Sequence, residues 1–161
     1  MTKGKNKGLL ERADRIARNC IANRVRVLNR VISALYNEQL SALGITVAQF
    51  NILTEILKRQ PTSALEISSI LELEKSSVSR SLDLMRSNGW ISVKAAGRVS
   101  ALSVAPAGEA IFRAALPKWK QAQRKTIDIL GNGGARRLSD ITRRVRKRQK
   151  PKRQKPKRQK P

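Results

Sequence analysis

Apolar residues recur along this chain at two periods, and the switch between them marks its elements. From about Leu10 to Leu40 there is neither Pro nor Gly, and Ile21, Val25, Leu28, Ile32 and Leu35 alternate spacings of four and three. That spacing predicts a heptad-like stripe on one face of a long helix. Val27 and Val31 widen the stripe, while Arg12, Arg15, Arg18, Arg26 and Arg30 lie outside or beside it. About thirty helical residues extend roughly 45 Å, more than a compact domain of this size needs, so the stripe predicts a subunit interface.

Gly44 breaks this pattern, and Thr46 with Gln49 three residues on forms a capping box that opens a helix running to about Lys58. Its buried face is Phe50, Leu53, Ile56 and Leu57, and Gln60-Pro61 ends it. Ser63 and Glu66 form a second capping box before Leu65, Ile67, Ile70 and Leu71. After the acidic step Glu72-Leu73-Glu74, Val78, Leu82 and Met85 share one helical face, and Ser76, Arg80 and Asp83 lie opposite, flanked by Ser77 and Ser79. Gly89 stands where that helix ends. Two short helices at an angle, the second open on a serine- and arginine-bearing face, make a helix-turn-helix pattern.

The period then shortens. Trp90 to Lys94 and Val99 to Val104 read as two strands joined by Ala95-Ala96-Gly97-Arg98. A helix-turn-helix followed at once by a hairpin is a winged helix. Helical spacing resumes after Pro106 through Ile111, Ala115, Trp119, Ala122, Thr126 and Leu130, with a kink expected at Pro117 and a flexible turn at Gly131 to Gly134. A last amphipathic helix has Leu138, Ile141 and Val145 on its apolar side and Arg136, Arg137, Arg143 and Arg144 exposed. The expected fold class is mainly α with a small β-hairpin wing. Residues 1–9 are expected as a disordered basic arm, 10–145 as the folded part and 146–161 as a disordered tail. Within the folded part, 10–43 is expected at a subunit interface and 46–104 is expected to be the DNA-binding module.

Charge adds direction to this picture. The 161 residues carry 35 Lys and Arg against 11 Asp and Glu, a formal charge of +24, which implies polyanionic partners, nucleic acid first among them. The tail repeats Lys-Arg-Gln-Lys-Pro three times, and its cations are Arg146, Lys147, Arg148, Lys150, Lys152, Arg153, Lys155, Lys157, Arg158 and Lys160. A Pro every fifth residue and no apolar side chain preclude a packed core there, and the tail is expected to add salt-dependent, sequence-independent DNA affinity. The other reading is a solubilising repeat expansion. The chain holds no His and one Cys, which leaves no zinc site and no constellation for catalysis, so no cofactor, no metal and no enzymatic activity are expected. No stretch approaches a membrane span, no secretory signal is evident, and a lone cysteine fits a reducing cytoplasm, so a cytoplasmic, nucleoid-associated protein is expected.

Several segments together resemble the multiple-antibiotic-resistance regulator (MarR) family of bacterial winged-helix repressors. Leu43-Gly44-Ile45-Thr46-Val47-Ala48-Gln49-Phe50 is similar to the family's LGLTxxQF segment, Leu65 through Arg80 to its LAxxLGLDxSTVSR block, and Asn88-Gly89-Trp90-Ile91 to its RGWI-like end of the recognition helix. The likeness covers about Cys20 to Val145. It implies a homodimer interlocked through the first and last helices (10–43 and 106–145 as dimerisation helices), and a recognition helix (75–88) and wing (90–104) per subunit on a pseudo-palindromic operator in double-stranded DNA. Many relatives release DNA when a small aromatic effector binds near the dimer interface. Three departures stand out: Ala96 where the family's wing commonly has Asp before its arginine, a wing loop several residues shorter than usual, and Glu72 where the turn often has Gly.

The expected DNA contacts are Thr62 and Ser63 at the start of the first motif helix, Lys75, Ser76, Ser77, Ser79 and Arg80 on the second, and Arg98 in the wing. Hydroxyls reach phosphates or base edges, and an arginine can grip guanine bidentately. Each has a plainer reading as a cap, a solvated helix face or a solvated turn. Cys20 invites a redox role because one branch of the family carries a reactive cysteine in the first helix, yet that branch's tyrosine partners are replaced by Val47 and Phe50, and a buried thiol is the plainer reading. Trp119 and Trp90 are candidates for an effector pocket or for core. Transcriptional repression is the leading function; the alternative is a low-specificity architectural protein that coats DNA by means of its basic tail.

Overall fold

The computed structural model describes residues 3–96 and 99–149. Its elements are α1 (Lys3–Asn19), α2 (Ile21–Leu40), a 3-10 turn (Ser41–Leu43), α3 (Val47–Arg59), α4 (Ala64–Leu71), α5 (Lys75–Ser87), β1 (Ile91–Ala96), β2 (Val99–Val104) and α6 (Pro106–Gln149). The two strands form an antiparallel hairpin with Ile91 opposite Val104 and Ala96 opposite Val99. The fold is therefore mainly helical with a β wing, as the sequence predicts. Packing divides the chain into two units, one up to Gln123 and one from Arg124 on.

Both capping boxes form. The Thr46 side chain accepts from the Gln49 N–H while the Gln49 side chain accepts from the Thr46 N–H, and Ser63 and Glu66 repeat the exchange at α4. Each satisfies two donors that a helix start leaves without partners. Gly44 turns the chain into α3 with φ 67°, a left-handed conformation that glycine adopts without a Cβ penalty. At the end of α3, Lys58 and Arg59 reach Glu55 at 3.1 and 2.9 Å. Partial burial raises the Glu55 pKa, but these two cations outweigh it and hold the carboxyl below its ordinary value.

The core of the first unit is built by α2, α3, α4, α5, the hairpin and the start of α6. Leu40, Ile52, Leu53, Ile56, Ile67 and Met85 are fully buried, with Val78, Ile91, Leu102 and Ala115 beside them. The Phe50 and Phe112 rings stack at 5.1 Å, tying α3 to α6. The ends of the helices expected only at a dimer interface thus belong to the winged-helix core: Leu40 closes α2 into it and Ala115 closes α6. Gly108 is buried, and a Cβ there would stand 2.0 Å from the Trp90 carbonyl oxygen, so α6 lies directly against the backbone at the start of β1.

Four expectations about helix limits are corrected. The basic arm expected over residues 1–9 is helical from Lys3. The long first helix is interrupted at Cys20, whose ψ of 107° is extended and separates α1 from α2. Helical φ/ψ continues through Pro117, and the backbone of α6 leaves helical geometry at Gly131 (φ 68°, ψ 156°), which replaces the turn expected across four residues. That conformation is open essentially to glycine alone. Lastly, α6 runs to Gln149, so Arg146, Lys147 and Arg148 are helical and not part of an extended tail. No proline intervenes before Pro151, and cations in a last turn complement the helix dipole.

Candidate nucleic-acid interface

The turn between α4 and α5 fixes the presentation of the second helix. Ser68 Oγ donates to the Leu73 carbonyl at 2.7 Å, and the Leu73 N–H donates back to the Ser68 carbonyl at 3.0 Å. Between them Glu72 adopts φ 54°, a left-handed conformation that is costly for a residue with a Cβ. Helix α5 then buries Val78, Leu82 and Met85 against the core and leaves Lys75, Ser76, Ser79 and Arg80 exposed on the other side. Ser77 is half-buried, and its carbonyl accepts from the Ser81 hydroxyl at 2.9 Å. Asp83 pairs with Arg86 at 3.6 Å, whereas Arg80 has no ionic or hydrogen-bond partner among the described residues. Lys75 lies in the first turn, where it adds its charge to the positive end of the helix dipole. The resulting face offers one guanidinium, one ammonium and two hydroxyls, a set suited to phosphates and to base edges in the major groove.

Thr62 and Ser63 occupy a different setting. Thr62 is buried, its hydroxyl donates to Glu66 Oε2 at 2.8 Å, and its backbone exchanges hydrogen bonds with Leu102 of β2 at 3.1 and 2.7 Å. It serves as a short third strand beside the hairpin, and its side chain is committed inward, so it leaves the set of phosphate contacts. Ser63 caps α4: its Oγ accepts from the Glu66 N–H and donates to the Glu66 carboxylate, both at 3.2 Å. The Thr62 hydroxyl, then the Ser63 N–H at 2.9 Å and the Ser63 hydroxyl, pull the Glu66 pKa below its ordinary value. Gln60, read from sequence only as the end of a helix, accepts the Val104 N–H at 2.7 Å. Its role depends on a partner 44 residues away, and no local signal could have revealed it.

In the wing, β1 extends two residues further than expected, to Ala96, which leaves a two-residue connection. Arg98 lies in that connection and is outside the described residues, as are Lys150, Lys152, Arg153, Lys155, Lys157, Arg158 and Lys160. Lys94 is exposed on β1. Trp90 and Trp119 are both half-buried against the core, and Trp119 also lines a cleft of about 260 Å³ with Asn29, Ile32, Ser33, Tyr36, Val47 and Asn51. The Tyr36 hydroxyl donates to Gln123 beside it. Cys20 is half-buried at the break between α1 and α2. Among the described residues no cluster of His, Cys, Asp or Glu could hold a metal, and no single helix is long and apolar enough to cross a membrane.

Residues 43–99, from the 3-10 turn through the hairpin connection, match the model of the MarR family. The helix-turn-helix and hairpin of this chain are thus similar to those of the MarR family. A helix-turn-helix type transcriptional regulator of Bacillus cereus is 28% identical over 112 residues, 69% of this chain and 76% of the relative. A cysteine-to-serine mutant of MarR from E. coli, crystallised with operator DNA, superposes with a TM-score of 0.72 at 22% identity, over 81% of this chain and 96% of that one. BpsR of Bordetella bronchiseptica, whose DNA binding is regulated by 6-hydroxynicotinic acid, reaches a TM-score of 0.73 at 15% identity, over 80% and 95%. The family match lies on the helix-turn-helix and the hairpin, and the solved structures share the fold.

Proposed function

We propose that this protein is a homodimeric MarR-family repressor that binds a pseudo-palindromic operator on chromosomal DNA in the bacterial cytoplasm. Each subunit presents α5, with Asn88 at its end, to the major groove and the 90–104 hairpin to the flanking backbone. The observation that carries the reading is the one-sidedness of α5, which holds Val78, Leu82 and Met85 in the core and turns Lys75, Ser76, Ser79 and Arg80 outward. Dimerisation is supported by apolar side chains left in solvent on α2 and α6. On α2, Ile21 is 74% exposed and Val25 59%, and in the second unit Ile129 is 63% exposed, each an apolar surface that a second copy would cover. Half-sites then lie about one DNA turn apart, ~10 bp centre to centre. The Trp119 cleft, near the lower limit of ligand-sized pockets, suits a small aromatic effector.

A second reading has its own support. Residues 46–104 hold seven Lys or Arg against five acids, so the reading module is nearly neutral and the positive charge resides elsewhere in the chain. That distribution favours sequence-independent coating of DNA. Mapping bound sites across the native genome, together with the ratio of specific to non-specific affinity at one salt concentration, decides between the two. Sharp palindromic peaks and a high ratio support the repressor; broad occupancy and a ratio near unity refute it. Light scattering that gave a monomeric mass would remove the two-fold operator.

A further inference from the structure

The helical run after Gly131 carries a surface that the winged helix does not use. At about 100° per residue, Leu138, Ile141 and Val145 share one side of this run, and Arg136, Arg137, Arg143, Arg144, Lys147 and Arg148 share an adjoining face. All six cations are exposed. Asp140 is the one acid from residue 132 to 149, and it pairs with Arg143 at 3.3 Å. The cations span about 18 Å of helix, or roughly one per 3 Å, a linear density of the same order as the phosphates of duplex DNA. Arg143 with Lys147, and Arg144 with Arg148, are like charges four residues apart, which repel until a polyanion neutralises them.

We propose that this cationic face of α6 binds the sugar–phosphate backbone of duplex DNA without reading its sequence, as a second contact distinct from α5. The proposal goes beyond the repressor reading and uses only its premise that the chain binds DNA. Tethering to a DNA-bound module makes duplex DNA the polyanion present at high effective concentration. The apolar side favours DNA over an anionic membrane, because it holds Ala, Leu, Ile and Val and none of the aromatic side chains that anchor interfacial helices. The helical phase of Lys147 and Arg148 places them on the same face as the four arginines, so the surface leads directly into the Lys-Arg-Gln-Lys-Pro repeats.

The test uses the full chain with Arg136, Arg137, Arg143 and Arg144 replaced together by Gln, and a second variant with all four replaced by Lys. Binding to a short random-sequence DNA duplex is followed by fluorescence anisotropy over a series of salt concentrations. Each lost phosphate contact lowers the slope of log affinity against log salt by about 0.9, so the Gln variant should lose up to ~3.5 units of slope and at least about tenfold in affinity. The Lys variant should keep the wild-type slope, because a point charge serves a phosphate as well. Affinity for operator DNA is measured beside it at one salt concentration, so failure of α5 as a sequence reader registers separately, in the ratio of operator to random-sequence affinity. An unchanged slope in the Gln variant overturns the proposal. So does a loss that Lys does not restore, which would assign the arginines to structure, or a loss seen only on duplex RNA or on phosphatidylglycerol vesicles.

Discussion

Replacing Gly108 by Ala sets two effects of opposite sign against each other. Helix propensity alone favours alanine by at most ~1 kcal/mol. The packing at Gly108 opposes it: the new Cβ would stand 2.0 Å from the Trp90 carbonyl oxygen and 2.9 Å from Val104 Cγ1. A contact near 3.5 Å is comfortable, so α6 or the Trp90 backbone must give way by more than ~1 Å. The Trp90 carbonyl also accepts the Ala105 N–H at 3.0 Å, which limits how far it can retreat. Overpacking costs about 1–3 kcal/mol and a weakened hydrogen bond a further ~0.5–1.5 kcal/mol, which after the propensity gain leaves a net loss of about 0.5–3.5 kcal/mol. In a chain of this size that lowers the melting temperature by roughly 2–4 °C per kcal/mol. Urea titration followed by tryptophan fluorescence gives the free energy, and Trp90 lies at the perturbed contact. A Gly108→Ala protein as stable as the parent, or more stable, would show that the close approach of α6 to β1 does not exist.

Three further perturbations address the reading module. Glu72→Gly relieves a left-handed conformation that costs a non-glycine residue about 1–2 kcal/mol, so after the entropy of glycine it should stabilise by up to ~1 kcal/mol; a destabilised variant in urea titration would contradict the turn geometry. Glu66 has a depressed pKa in the fold, so its contribution is present above the ordinary value near 4.5 and is lost as pH falls through the lower folded value. Glu66→Gln should therefore flatten the acid limb of a stability profile below about pH 4.5, and parallel limbs for the two proteins would count against the Thr62–Ser63–Glu66 cluster. Arg80→Ala should weaken operator binding by ~1–3 kcal/mol and relax preference at one base position, and an unchanged sequence preference in a selection assay would remove Arg80 from base contact.

The parts of this fold legible in the sequence are those fixed by neighbours close in the chain. Ser63 with Glu66 and Thr46 with Gln49 cap their helices because the partners lie three residues apart, and Val78, Leu82 and Met85 declare the inner face of α5 by spacing alone. The short wing was also readable from the distance between two β-rich runs. What escaped depends on distant partners. Thr62 looked like a phosphate contact because its type suits a helix start, and only its pairing with Leu102, forty residues away, turns it inward. Gly108 matters through Trp90 and Val104, and the break at Cys20 has no glycine or proline to announce it. The helical phase of Lys147 and Arg148 was hidden because their repeat composition resembles the proline-bearing units that follow.

The bridge between Thr62 and Leu102, together with the Gln60 side chain on Val104, closes the segment from residue 60 to residue 104 upon itself. A hairpin attached only at its root could swing, opening or closing on DNA independently of the helix beside it. Here the root is stitched to the chain that precedes α4, so hairpin and recognition helix form one wedge with no internal hinge at its base. A change in DNA affinity that left this stitching intact would move the wedge as a whole and not alter its shape. Paired spin labels on Ser79 and Lys94 should report the same separation in free and DNA-bound protein.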